Sequence, residues 1–395
     1  MSEYSNVERP FLEKLRQIGW DVIDHGASGI PQDPTKSLRN NFKEVVLEKV
    51  FKETVRKINL TEDGKEWLTE KQLDEVFTEI SEQTGKSLHE ANKAIFNLLL
   101  KTTTVDRNEI TGEQSPVVRF IDFENWEKNS FIAMNQFRIK TPGGPRQGII
   151  PDIVLFVNGM PFCVIECKDV DVSEPLSEAE IQIRRYSNRR DDDFGINEGE
   201  ERLFHFNLFS IITHGTEARF GTISADFDYY YNWKDIFPET YKIINPEQYS
   251  EEEQSRYADR SDKIAPEDRQ EVVIHGMLNK EIMLDVLRHF TLFMEVKAGF
   301  EVKIVCRYQQ YRAVGKILER LRTGKTSRDR SGVVWHTQGS GKSLTMVFLV
   351  RKLRSQEDLK DHKIIMVNDR TDLEDQEKGS SPFLTTLKLR PDVKP

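Results

Sequence analysis

Cysteine is scarce: Cys163, Cys167 and Cys306 are the three in 395 residues. An odd, unpatterned set supports neither a disulfide framework nor a four-ligand metal cage. The four-residue spacing of Cys163 and Cys167 falls on an expected strand with no second pair, so both read as core residues in a reducing cytosol. Long apolar runs are missing too. No stretch approaches the roughly 18 residues needed to cross a bilayer. The start, MSEYSNVERPFLEKL, lacks a basic segment followed by an apolar core, so no secretory signal is expected. There is no internal repeat and no low-complexity tract. Positive charge is in the minority, with a formal net charge of −9. On its own that argues weakly against a nucleic-acid binder. Net charge governs solubility and steering, however, and a local basic strip can bind phosphate in an acidic protein. Arg184, Arg185, Arg189 and Arg190 form such a strip.

What is present suffices for a core, with 37% hydrophobic and 31% charged residues over a length that suits about two to three domains. Apolar spacing predicts amphipathic helices over 1–20, where Phe11, Leu12, Leu15 and Ile18 recur at helical intervals, and over 35–59. A further helical stretch spans about 67–100. From about 130 the pattern becomes strand-like in FIAMNQFRI, IVLFV and FCVIECK, followed by a helix at about 177–190 and a buried strand in LFHFNLFSIITHG. Residues 245–270 are polar and nearly free of large apolar side chains, a linker or surface insertion. Helices are expected at 277–296 and 308–322. VVWHT, SLTMVFLVRKL and KIIMVND then read as strand, helix and strand, the start of a βαβ unit.

The most informative stretch is GIIPDIVLFVNGMPFCVIECKD, residues 148–169. Two apolar runs flank Asn158-Gly159, a strong hairpin signal. Folding back there brings Asp152 near Glu166, and Lys168 projects to the same side of its strand as Glu166. Two converging carboxylates suit a hard cation such as Mg²⁺. A neighbouring ammonium can orient water and offset charge as a phosphodiester is attacked. A plain two-residue turn would pair Asp152 with Ile165 and send Glu166 to the opposite face. Sharing a face requires one more residue in the connection, such as Met160, or a β-bulge, and that extra residue is predicted. The competing reading, ordinary strand-end charges, is disfavoured because unpaired charges are costly among such apolar strands.

Pro151-Asp152 with Glu166-Cys167-Lys168 resembles the catalytic hairpin of the PD-(D/E)xK nuclease superfamily. In the helix that follows, Gln182 and Tyr186 stand four apart on one face. They fit the QxxxY motif that R subunits of type I restriction enzymes carry at this place, which adds both to the catalytic set. The four arginines are candidate contacts to the DNA backbone, which carry no sequence information. Superfamily members often contribute a further glutamate from the first helix. Glu8 and Glu13 are both open for that role, as is a solvated helix face for either. Ile149 and Ile150 stand where relatives often show an arginine, which removes a possible phosphate contact but no metal ligand.

VVWHTQGSGKSLTM (333–346) contains a glycine turn opening a helix. Gly339 and Gly341 permit the backbone angles that aim successive amides, including that of Ser340, at a phosphate. Lys342 reaches the β/γ phosphates, and Ser343 can ligate Mg²⁺. His336 replaces the first glycine of the general P-loop pattern. The run Trp335–Ser343 resembles the ATP-binding motif of type I restriction R subunits, where histidine is expected. Arg307–Val314 resembles the upstream segment, with Gln310 toward adenine, and Asp369–Leu373 with Gln376 resembles the next motor motif.

The resemblance covers essentially the whole chain. It implies an α/β protein: a PD-(D/E)xK core, a mixed sheet flanked by helices, over 1–245; a linker and connecting helices over 246–300; and an incomplete RecA-like P-loop lobe over 301–395. It implies Mg²⁺-dependent cleavage of double-stranded DNA coupled to ATP-driven translocation in the full-length complex. The motor would be incomplete in this chain, which ends before a DExx box and a second lobe, and its loop is expected to be poorly ordered. Methylation (M) and specificity (S) subunits would be partners, in the cytoplasm and off the membrane. A standalone ATP-gated nuclease outside restriction, or an inactive assembly module, are the alternatives.

Overall fold

A computed structural model describes residues 3–27, 29–83, 85–141, 148–189, 198–239, 268–296, 301–337 and 339–367. The chain divides into two compact units, residues 1–234 with 262–284, and residues 235–261 with 285–395.

In the first unit, a π-helical turn, Tyr4–Glu8, runs into helix α1 (Arg9–Gln17) and strand β1 (Asp21–Ile23). Helices α2 (Glu48–Ile58), α3 (Glu70–Ser81) and α4 (Leu88–Lys101) follow. Strands β2 (Thr103–Thr104) and β3 (Val117–Val118) make a small antiparallel ladder. Then come β4 (Phe131–Asn135), β5 (Ile153–Val157), β6 (Met160–Cys167), helix α5 (Pro175–Tyr186), β7 (Phe209–His214), β8 (Glu217–Gly221) and α6 (Arg269–Gly276). Helix α7 (Lys280–His289) contains the division between the units. The main sheet is mixed, in the order β1-β4-β5-β6-β7-β8, with β1–β4 and β6–β7 parallel and the other pairs antiparallel. All of β4, β5 and β6 is buried. That explains their continuous apolar runs in place of alternation, since a strand covered on both faces has no solvent side. Helix α5 packs on β6 and β7.

This topology places the ends of β1, β4, β6 and β7 and the start of β5 along one edge of the sheet. The hairpin between β5 and β6 controls what meets there. Asn158 (φ 51°) and Gly159 (φ 78°) form a tight turn that pairs Val157 with Met160. Asn158 is fully buried and donates to Phe120 O and Asn129 Oδ1, and its Oδ1 accepts from Ser130 N. One residue later the register shifts, with Phe156 opposite Pro161 but Leu155 opposite Cys163. Phe162 is therefore the extra residue of a bulge, as the face-sharing argument required.

Several sequence expectations need correction. Over 35–59 only α2 is α-helical, with a 3-10 turn at Pro34–Ser37. Between them, Asn41 and Glu44 side chains bond the backbone of Lys43 and Asn40 and compete with a helix. The stretch 67–100 is two helices, because Gly85 (φ 73°) and a Ser87/Glu90 capping box begin α4 anew. Of LFHFNLFSIITHG only β7 is strand, preceded by a 3-10 turn at Glu201–Phe204. The 277–296 helix stops at His289, and Thr291–Glu295 is a strand. Most of the expected linker, 245–270, lies outside the described residues.

In the second unit that strand, β9, pairs antiparallel with β10 (Glu301–Val305). Helices α8 (Tyr308–Thr323), α9 (Ser327–Arg330) and α10 (Lys342–Ser355) follow. Phe290 centres a small core, its ring 4.8 Å from that of Tyr311 and 5.5 Å from that of Phe348. Buried Asp285 pairs with His289 at 2.6 Å and with Lys352. The expected strands VVWHT and KIIMV are not strands among the described residues. Val333, Trp335 and Val367 are 94%, 81% and 87% exposed. A strand needs a neighbour to take its backbone hydrogen bonds, and no described strand pairs with either segment. The molecule as described is mixed α/β, with a six-stranded sheet flanked by helices. Among the described residues no helix is long and apolar enough to cross a membrane.

Candidate active site

The bulge sets Ile153 opposite Ile165, and that register, extended one residue past the end of β5, brings Asp152 to the level of Glu166. Asp152 is 9% exposed, and its Oδ2 accepts from Cys167 N at 2.7 Å. Glu166 is fully buried. Its Oε1 accepts from Lys168 Nζ at 2.7 Å, and the same ammonium donates to Cys167 O at 3.0 Å. Glu166 Oε2 is buried and has no hydrogen-bond partner.

The electrostatics follow from dryness and crowding. Burial, then the charges of Glu166 and Glu8, push the Asp152 carboxyl well above the usual range. Glu166 is pushed up to about 7 by burial, against the lowering effect of Lys168. Burial pulls the Lys168 ammonium down, but the charges of Glu166 and Asp152 outweigh it and hold the lysine above its ordinary value.

Gln182 and Tyr186 project from the same face of α5. Gln182 Nε2 donates to the Tyr186 hydroxyl at 2.6 Å, and that hydroxyl donates to Ile150 O at 3.1 Å. The pair thus fixes the backbone two residues before Asp152. Burial raises Tyr186 well above its ordinary value, with the charges of Glu166 and Asp152 adding to it, so the phenol stays protonated. Lys168, Glu178, Ile181, Gln182 and Arg185 line an open depression beside the carboxylates.

The three described arginines, Arg184, Arg185 and Arg189, do not form a common face. Arg184 donates through Nε and Nη2 to Arg189 O and reaches back toward Glu180, while Arg189 bonds Ser187 Oγ. Arg185 stacks over the Tyr186 ring at 5.2 Å and faces the depression. Arg190 lies outside the described residues.

Of the two glutamates left open, Glu13 forms an exposed pair with Arg9, whereas Glu8 is 3% exposed and joins the site. Its Oε2 accepts from Gln136 Nε2 at 3.1 Å, and burial raises its pKa. Glu3 is a further member that the sequence pattern does not single out. Carboxylate oxygens of Glu3, Glu8 and Asp152 lie within 4.8 Å of one another. In an α-helix residues 3 and 8 would sit about 140° apart. The π turn over Tyr4–Glu8, closed by Arg9 N bonding Tyr4 O, brings positions five apart into line.

In the second unit Gly339 (φ 76°) and Gly341 (φ 81°) adopt the left-handed conformation, and α10 opens at Lys342. Ser340 Oγ donates to Thr337 O at 2.6 Å. Gln310 is buried; its Nε2 donates to Gly341 O at 3.1 Å and its Oε1 accepts from Arg307 N at 2.8 Å. Its amide thus braces the loop. Lys342 is exposed, and Ser343 is half-buried. Asp369–Leu373 and Gln376 lie outside the described residues.

Comparison with known proteins matches residues 1–229 to the family model described as type I restriction enzyme R protein N terminus. Residues 309–386 match the SWI2/SNF2 ATPase family model. The type I restriction enzyme HindI endonuclease subunit of Haemophilus influenzae is 30% identical over 95% of this chain and 32% of its own length. A Methanocaldococcus jannaschii protein, named for the MjaIXP endonuclease subunit of a type I restriction enzyme, is 24% identical over 94% of this chain and 33% of its own. The Staphylococcus aureus SauCOLORF180P endonuclease subunit is 24% identical over 95% and 32%. The chain thus spans about a third of the length of these relatives. Because the first of those family models covers more than half of its residues, this chain belongs to the type I restriction enzyme R proteins.

Proposed function

We propose that the first unit is a PD-(D/E)xK nuclease that cleaves double-stranded DNA with Mg²⁺. The observation that carries this is that Asp152 Oδ2 accepts from Cys167 N, between Glu166 and Lys168, while Lys168 Nζ donates to Glu166 Oε1 and leaves Glu166 Oε2 buried and unpaired. A buried anionic oxygen without a partner is costly, and an all-oxygen donor set fits a hard dication. Asp152 and Glu166 would hold it. When bound, Mg²⁺ supplies neutralising charge and a more acidic water.

The chain's own residues do the rest. Lys168, kept protonated by its acidic neighbours, orients the attacking water and counters the charge that grows on the phosphate. Tyr186, oriented by Gln182, donates to Ile150 O and so fixes the approach of Asp152. Arg185 meets a backbone phosphate at the depression, which positions DNA without reading its sequence.

The second unit is proposed as part of an ATP-driven motor. Gly339, Ser340, Gly341, Lys342 and Ser343 would receive the nucleotide phosphates and Mg²⁺, with Gln310 beside them. In the complete protein the motor would translocate DNA in the cytoplasm, while methylation and specificity subunits choose the recognition sequence. The test compares the full-length complex carrying Asp152→Ala with its parent in Mg²⁺ and ATP. Loss of cleavage with DNA binding retained is expected. Equal cleavage by the two would sink the assignment.

A further inference from the structure

We infer that DNA lies along a cationic row on the β4 flank of the carboxylates, where Lys36, Arg138 and Lys140 hold one strand by its phosphates. The inference rests on the nuclease reading and deepens it, by naming a surface that receives the backbone of the substrate.

The row begins where β4 loses its regularity. Beyond Asn135, Gln136 N and Phe137 N bond Asp152 O and Pro151 O at 2.9 and 3.2 Å, and Ile139 pairs with Ile149. Phe137 and Ile139 are fully buried, whereas Arg138 is half-buried and Lys140 exposed. Alternate residues of an extended chain share a face, so Gln136, Arg138 and Lys140 line the outer one. Gln136 identifies that face, because its Nε2 bonds Glu8 Oε2. The row therefore starts at the carboxylates and leads away from them, with side chains roughly 7 Å apart, two residues of extended chain. Lys36 joins from the 3-10 turn at Pro34–Ser37. Burial pulls the His25 imidazole down, Asp24 opposes this, and the charges of Lys36 and Arg39 add to it. His25 follows β1 and its N bonds Asn135 Oδ1 at 2.7 Å, so both cations stand at the same sheet edge.

This surface differs from an ordinary solvated face, first because it is built. Buried Arg39 stacks on Phe137 at 3.7 Å and donates to Arg138 O and Glu44 O, both at 2.8 Å, and Lys140 N bonds Phe42 O. Arg138 is held in turn, its guanidinium 5.1 Å over the Phe42 ring and its Nη1 on Gln32 Oε1 at 3.1 Å. Those partners are neutral, so they orient the charge without cancelling it. The acids on these segments are engaged by their own turns. Asp33 accepts from Thr35 N and Oγ1, and Glu44 accepts from Asn40 N and Asn41 Nδ2. Among the described residues Lys36, Arg138 and Lys140 make no ion pair.

Position supplies the partner. The carboxylates lie between this row on the β4 side and Arg185, on α5, on the other. A polyanion crossing an acidic site needs positive ground on its flanks. Arg184 and Arg189 do not supply it, because they turn onto their own helix end. A row that starts at a phosphodiester-cutting group favours DNA over an acidic protein face, and contacts of this kind fix register without reading sequence.

The test measures binding of a fluorescein-labelled DNA duplex to the chain in EDTA, by anisotropy over a range of salt. The variant carries Lys36→Gln, Arg138→Gln and Lys140→Gln together, with its fold checked by thermal melting. It should bind about 10-fold more weakly or worse, and the slope of log K against log salt should drop by about 2–3, at about 0.9 for each lost phosphate contact. The pair Lys36→Gln with Lys140→Gln repeats the test without touching the Phe42 stack, at about two-thirds of the slope change. A control with the same loss of charge (Lys71→Gln, Lys101→Gln, Lys128→Gln) should keep the parent's slope, as should Asp152→Ala. A folded triple variant with the parent's affinity and slope, or a parent that binds no duplex, overturns the row. So does a variant that binds duplex normally but no longer assembles with methylation and specificity subunits in the full-length complex, which makes the row a protein contact. The nuclease reading survives each of these results, since it is decided by cleavage with Asp152→Ala.

Discussion

At the scale of single residues, Glu166 joins stability to the site. Its carboxyl holds a proton up to about pH 7 when folded but releases it near pH 4.5 when unfolded. Between those values the native state binds more protons, so the contribution of Glu166 to stability falls as pH rises. His205 and His289, lowered by burial to about 4, pull the other way, so the effect must be isolated against a variant. In metal-free buffer the parent should lose stability relative to Glu166→Gln between about pH 5 and 7.5. The expected size is about 2–4 kcal/mol, since each pH unit separating the folded from the unfolded titration is worth about 1.4 kcal/mol. Added Mg²⁺ should reverse the trend in the parent only. Chemical denaturation at both pH values measures this, and parallel profiles would remove Glu166 from the site. Tyr186→Phe tests a positioning role. It removes the bond to Ile150 O but leaves every metal ligand, so kcat should fall about 10–100-fold with little change in KM. An unchanged kcat would make the tyrosine merely structural.

At the scale of elements, the β5–β6 hairpin turns a short sequence motif into a site. Gly159 is indispensable to its turn: φ is 78°, and an added Cβ would lie 2.6 Å from Leu47 O. Gly159→Ala should cost about 1–3 kcal/mol, read as a lower urea midpoint with an unchanged slope. No loss would mean that the turn can relax away from α2. Much of this hairpin is legible in the sequence. Asn158-Gly159 announces the turn, and pairing arithmetic demands the extra residue that Phe162 supplies. Glu3 is not legible, because α-helical spacing separates it from Glu8 and only a π turn aligns them. The inward turn of Arg184 and Arg189 is hidden as well, since composition reports charge but not the carbonyls that a guanidinium finds. The expected strands at 333–337 and 363–367 show the limit of a local reading. Their residues favour strand, yet a strand exists only with a partner to pair with.

At the scale of the whole molecule, the proposed function asks an acidic chain with a net charge of −9 to handle two kinds of phosphate, DNA and nucleotide. The charges that would do so are local. In the first unit the acids themselves would become attractive once the proposed Mg²⁺ neutralised them. In the second unit the loop at Gly339–Ser343 offers left-handed glycines, a helix start and one exposed ammonium, Lys342. Because the Lys342 side chain projects into solvent from the first turn of α10, Lys342→Ala should leave folding intact. It should weaken binding of a fluorescent ATP analogue about 10-fold or more, the value of one charge-assisted phosphate contact at about 1.5–3 kcal/mol. In the full-length complex Lys342→Ala should stop ATP consumption, and cleavage that depends on it. Asp152→Asn should stop cleavage while ATP is still consumed. That asymmetry separates a motor that drives a nuclease from two independent activities on one chain. If Lys342→Ala cleaves DNA as fast as the parent, the two units are not coupled and the nucleotide serves some other end.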